Sequence, residues 1–286
     1  MLKRKMFFIP VLLLMLFCLV GCNNTDDPID DPNKPTEKEG TGTSYGLVNK
    51  TYVGKATVKI KGDKIVDVTY DEAFLPNTWG SIDYKPEEGK ELPEDILNHT
   101  KDDMSSYYAK YISVDGQVFT GTIRESDLVI GENTYVNQVV NYSSDKIKDL
   151  FQYLYDSEEN AKWYYEAVEK GKAFICDKDG KKIDTYQSLH TEGWFKSEGK
   201  YWPSSSDSPL GWKGNINAMV EYLKGKTLTD LDSSKFVRDE TGEDKDGYNY
   251  KYWKIDGVQT KVTMSDIYNY YKLAYKAYSK AKTSAK

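Results

Sequence analysis

The stretch KTYVGKATVKIKGDKIVDVTY, residues 50–70, decides the fold class. From Lys50 to Ile60, apolar and polar residues alternate among β-formers, the period of a strand with one buried face. Gly62-Asp63-Lys64 supplies a tight turn, and Ile65 to Tyr70 alternates again. Two alternating runs joined by so short a turn make a β-hairpin.

Downstream, Tyr107 to Val114 and Val118 to Ile123 flank Asp115-Gly116 as a second hairpin, and Thr134 to Tyr142 reads as a further strand. Leu75 to Met104, between the hairpins, reads as a long loop with one helical turn. The period then changes. Ile147, Leu150, Phe151, Leu154, Ala161, Tyr164, Tyr165 and Val168 recur at spacings of three and four. This predicts two helices broken near Asp156, N-capped at Ser143 or Ser144 and stopped by Gly171. Gly171 to Ile183 reads as a short hairpin turning at Asp179-Gly180. His190 to Trp212 reads as a loop, Asn215 to Leu223 as a helix and Tyr248 to Ile255 as a strand. A last helix starts at about Ser265, N-capped there, with Tyr268, Tyr271, Tyr275 and Tyr278 along one stripe. Strands and helices come in runs instead of alternating, so the class is α+β. The expected architecture is antiparallel hairpins forming a sheet or half-barrel packed with several helices. No linker interrupts residues 45–286, which read as a single domain.

Upstream of the hairpin the chain has another character. Lys3-Arg4-Lys5 precedes an apolar run from Met6 to Val20, too short for a comfortable membrane span and suited to a signal peptide, residues 1–21. The run ends in Leu19-Val20-Gly21-Cys22, which resembles the lipobox of bacterial lipoproteins. The resemblance implies that Cys22 is acylated and holds the protein on the outer face of the bacterial cytoplasmic membrane. Residues 22–44, rich in Pro and acids, read as a solvated tether.

Composition narrows the chemistry. The chain has 286 residues and a formal net charge of -6, so its surface is wrong for nucleic acid as a partner. With 2 His and 3 Cys, none clustered, it offers no metal site. Cys18 leaves with the signal and Cys22 takes the lipid, so Cys176 has no disulfide partner. The run Ala173-Phe174-Ile175-Cys176 makes Cys176 a buried small hydrophobe. No G-x-S-x-G, H-E-x-x-H or Walker sequence is present, and no catalytic residue is assigned. The adjacent acids Asp71/Glu72 and Asp102/Asp103 point to opposite faces of a strand and read as solvated surface. The aromatic content is weighted to Tyr, 24 against 9 Phe.

The opening hairpin, from Tyr52-Val53-Gly54-Lys55-Ala56 through Gly62-Asp63-Lys64-Ile65 to Asp71-Glu72, resembles that of the FMN-binding domain family. Asp256-Gly257-Val258 and the segment from Thr263 to Ala274 are similar to that family's closing segment, where a D-x-x-S/T-G-A-T run precedes a helix. The resemblance covers the two ends of the domain, with a helical and hairpin region inserted at about 75–250. It implies an extracytoplasmic flavoprotein-like lipoprotein that transfers electrons to or from a membrane redox partner. In flavin-carrying members the last Thr of S/T-G-A-T is joined to the FMN phosphate. Here Gln259, Thr260, Lys261 and Val262 stand at those four positions, and Thr263 comes one residue late. The resemblance therefore implies noncovalent FMN, with Thr260, Thr263 and Ser265 as candidate cofactor contacts.

A second candidate surface comes from the residues themselves. Trp194, Trp202 and Trp212 fall in a Gly-rich loop, where they either pin the loop to the domain or stack on a ligand. Two functions follow: a flavin-associated electron-transfer lipoprotein, or a noncatalytic surface lipoprotein that binds a planar or sugar ligand on the Trp-rich loop.

Overall fold

The hairpin of residues 50–70 lies inside a three-stranded antiparallel sheet in the computed structural model. The structure describes residues 37–48, 52–130, 133–135, 138–190, 193–199, 201–205, 210–239 and 251–285, and these belong to one compact unit, residues 37–286. Cys22, the expected signal peptide and most of the expected tether lie outside the described residues, as do Tyr248 and Tyr250.

The sheet runs β1 (Glu39–Val48), β2 (Tyr52–Lys61) and β3 (Lys64–Phe74). On β2, Ala56, Val58 and Ile60 are buried while Lys55, Thr57 and Lys59 face outward, as the alternation requires. The first strand corrects the tether boundary. Residues 39–44 pair with residues 56–61 of β2, although their composition is that of a linker. Glycine explains the disguise. β1 crosses α5 (Ile267–Ser284) so closely that a Cβ on Gly42 would lie 2.1 Å from the Ala277 carbonyl oxygen, and one on Gly40 equally close to that of Ala281. Small polar residues here are packing residues, and the buried Ser44 hydroxyl donates to the Leu273 carbonyl at 2.6 Å.

The outward rungs of β1 bond to side chains. Thr41 exchanges bonds with the Ser284 hydroxyl, the Thr43 carbonyl accepts from Lys280 Nζ, and the Tyr45 N–H donates to Glu158 at 2.9 Å. The far edge of β3 is met at both its ends, by Lys226 against Ile65 and by residues 194–196 against Glu72 and Phe74.

After β3 come α1 (Pro76–Trp79), β4 (Ser81–Ile82), β5 (Ile96–Lys101) and β6 (Met104–Ala109). Next are β7 (Tyr111–Val114), β8 (Gln117–Ile123), β9 (Leu128–Ile130), β10 (Asn133–Tyr135) and β11 (Val140–Ser143). The segment expected to be a long loop with one helical turn has that turn, α1, and adds the two strands β4 and β5, and the strand expected over 134–142 is two short ones. Asp102 and Asp103 make the β5–β6 turn with φ of 51° and 61°, a left-handed conformation that Asp tolerates.

The helical break falls where expected. α2 (Leu150–Asp156) and α3 (Glu158–Glu169) are split by Ser157, whose hydroxyl caps Asn160 N–H. The cap of α2 is Asp149, not Ser143 or Ser144. β12 (Ala173–Ile175) follows Gly171, which stops α3 in the left-handed region. Then come α4 (Gly211–Leu223), β13 (Phe236–Arg238), β14 (Trp253–Ile255) and β15 (Val258–Gln259). Every strand pair is antiparallel, and the described strands fall into five small sheets, giving an α+β fold.

The core is continuous from the sheet through the helices. α5 lies across β1 and β2, so the two ends of the domain close on each other. Tyr164 joins three elements: its hydroxyl donates to the Phe74 carbonyl at 2.6 Å and accepts from Trp79 Nε1 at 3.0 Å. Cys176 is buried as expected, and burial pushes its thiol up to about 11.

Candidate binding pocket

Asp71 and Glu72 are neighbours on β3, and their side chains leave opposite faces. Asp71 points out and accepts from the Ser197 hydroxyl at 2.6 Å; partial burial still holds its pKa above the ordinary carboxylate value. Glu72 points inward and is fully buried, which overturns its reading as solvated surface. Trp212 Nε1 donates to Glu72 Oε1 at 2.7 Å, and the Tyr270 hydroxyl donates to the same oxygen. Lys196 Nζ stands 2.7 Å from Oε2. A carboxylate this deep persists as a charge only with such partners.

Backbone pairing brings Lys196 there. Residues 194–196 run along the end of β3, with Phe74 N–H donating to the Trp194 carbonyl at 3.1 Å and Lys196 N–H to the Glu72 carbonyl at 3.0 Å. The Lys196 ammonium then lies 3.5 Å from the Tyr52 ring centroid and 4.6 Å from that of Tyr201, a cation held against two π faces. The two phenols bond each other at 2.6 Å. Burial raises the Tyr201 pKa, and the bond to Tyr52 and the charges of Glu72 and Asp266 raise it further. Tyr270 is raised by burial and then by Glu72.

Above this cluster is a pocket of about 350 Å³. Its floor is buried Trp212, Tyr270, Met264 and Lys196; its walls are Tyr201, Trp202, Ser265 and Asp266. A neighbouring pocket of about 450 Å³ shares Tyr201 and Trp202, with Pro203, Leu210 and Lys213 beyond them. Trp202 therefore stands between two cavities. Its φ is 41°, unusual for a bulky residue, and its carbonyl accepts from Trp212 N–H at 2.9 Å. The crossing needs Gly211, since a Cβ there would lie 2.5 Å from the Trp202 oxygen.

The candidate residues divide accordingly. Trp202, Trp212 and Ser265 meet at the pocket, although Trp212 sits in the first turn of α4 and not in the loop. Trp194 is elsewhere, its ring 5.0 Å from that of Trp79; it pins the loop. Thr260 is buried, its hydroxyl donating to the Trp253 carbonyl at 2.8 Å. Thr263 gives both its N–H and its hydroxyl to Asn215 Oδ1, at 2.7 and 3.1 Å. Neither Thr faces the pocket. The residue that caps α5 is Asp266, with no side-chain cap bond, in place of the expected Ser265. On the α5 stripe, Tyr270 takes a core position ahead of Tyr268 and Tyr275.

Glu72, Lys196, Tyr201, Asp266 and Tyr270 were not among the candidates. For Glu72 the signal was present: Val68 and Tyr70 are buried, and the period of two carries that face to residue 72. No comparable signal marks Lys196. Among the described residues no group of His, Cys, Asp and Glu could hold a metal, and no helix is long and apolar enough to cross a membrane. No family model, curated protein or solved structure matches this chain.

Proposed function

We propose that the chain is an extracytoplasmic lipoprotein, anchored through Cys22, whose domain binds a small ligand without transforming it. The observation that carries this reading is the pocket of about 350 Å³ walled by Tyr201 and Trp202 over Trp212 and Tyr270. Its volume falls in the range of small-molecule sites, and its rings come from three separate chain segments. Binding against Trp202 changes the fluorescence of that indole, so a saturable change on titrating the mature chain supports the reading, and Trp202→Ala abolishes it. A saturable change that survives Trp202→Ala sinks this placement of the ligand.

A second reading, noncovalent FMN and electron transfer to a membrane redox partner, draws support from the opening hairpin's resemblance to FMN-binding domains. Val262, at the position of the attachment Thr, is fully buried and has no hydroxyl to join to a phosphate. Purified protein that is yellow, and loses its flavin on denaturation, favours this reading. Protein that stays colourless after incubation with FMN ends it.

A further inference from the structure

We propose that the ligand of the Trp202 pocket is an organic ammonium ion, taken up against Tyr201, Trp202 and Trp212 with Asp266 at the rim. This rests on the binding reading above and assigns its chemical class.

Three observations converge. The first is the wall chemistry. Tyr201, Trp202, Trp212 and Tyr270 line one cavity, and aromatic faces attract cations through their quadrupole, most strongly where water is excluded. The second is the charge around the cavity. Lys196, the cation in the floor, is matched by Glu72 at 2.7 Å, and Asp266 adds a second carboxylate at the wall, where its neighbour Ser265 donates to it at 3.2 Å. The phenols of Tyr201 and Tyr270 both have pKa values raised first by burial; next comes the bond to Tyr52 for Tyr201 and the charge of Glu72 for Tyr270, and Glu72 and Asp266 add to both. Lys213 belongs to the adjacent cavity, beyond Trp202. Glu72 is buried outside the lining and offsets Lys196, so the acid that a phosphate or carboxylate would meet here is Asp266, the same group that would draw an ammonium in.

The third observation is that the floor of the pocket already holds an ammonium. Lys196 Nζ lies against the rings of Tyr52 and Tyr201, on the inner side of the cluster. A ligand ammonium in the cavity would repeat this contact from outside, using Trp202 where Lys196 uses Tyr52. The exposed indole of Trp202, held by a left-handed backbone, lines the cavity on its open side.

The test is a fluorescence titration of the full mature chain with choline, with its uncharged isostere 3,3-dimethylbutan-1-ol, and with FMN as an anionic planar probe. The expected result is saturable binding of choline about tenfold tighter than the alcohol, the ratio a partly desolvated cation–π contact supplies. Asp266→Asn should erase that preference, and raised ionic strength should weaken choline but not the alcohol. The variant is checked by circular dichroism, and the salt series on the wild-type chain stands even if Asp266→Asn fails to fold. Equal binding of choline and the alcohol, or binding of FMN alone, would overturn the ammonium class and leave a working pocket. No response to any of the three probes would overturn the ammonium class and count against the pocket itself.

Discussion

The Glu72 carboxylate and the Lys196 ammonium stand 2.7 Å apart, with 1% and 2% of their side chains exposed. They lie 124 positions apart in sequence and meet because residues 194–196 continue the pairing of β3. Removing one charge strands the other in a low-dielectric interior. Glu72→Gln or Lys196→Met alone should cost about 3–5 kcal/mol in denaturant unfolding, and the double replacement should recover part of that loss. Single variants within about 1 kcal/mol of wild type would show that the pair is not desolvated in solution.

The contact of β1 with α5 tolerates no side chain at residue 42. A Cβ there would lie 2.1 Å from a backbone oxygen, so strand or helix must move. Gly42→Ala should destabilise by about 1–3 kcal/mol in thermal unfolding, an overpacking cost on a residue that looks like linker. A neutral Gly42→Ala would mean that β1 is not docked as described.

Stability should fall steeply in alkali. Burial raises the phenols of Tyr70, Tyr142 and Tyr164 far above the ordinary 10.0. Below pH 10 these groups are protonated both folded and unfolded, and contribute no pH dependence. Above it the unfolded chain releases protons that the native fold retains, so stability drops as pH rises. The Cys176 thiol, pushed from 9.0 to about 11, acts in the same direction one unit earlier. Phenolate absorbance should show a group of tyrosines silent in the native protein that titrate only as it unfolds. Reversible titration of all 24 near pH 10, with the fold intact, would contradict this burial.

Membrane attachment is tested at residue 22. Cys22→Ala should leave the protein unprocessed or move it from the membrane fraction to the soluble one. Normal processing with unchanged membrane extraction would refute the lipid anchor.

The hairpin, the break at Ser157, the stop at Gly171 and the buried Cys176 were legible because each is a local matter of period or cap. β1 was not, since Gly and Ser are there for a close helix contact that sequence does not display. The pocket was legible in part. Trp202 and Trp212 were candidates on residue type and Ser265 through the resemblance, but their meeting depends on Lys196, Asn215 and α5 converging from distant positions. Thr260 and Thr263 had the right chemistry for a ligand and spend it on backbone and Asn215 instead. Glu72 was misjudged because a charged residue was weighed by type, when its parity with Val68 and Tyr70 already placed it inside.

Under the proposed lipid anchor, the side chains that bond the outer rungs of β1 would gain a second meaning. Copies tethered side by side meet at far higher local concentration than the same protein free in solution. An open strand would recruit its neighbours there, one sheet growing into the next. With Ser284, Lys280 and Glu158 occupying the rungs at Thr41, Thr43 and Tyr45, copies anchored as proposed would crowd together without a seam to join.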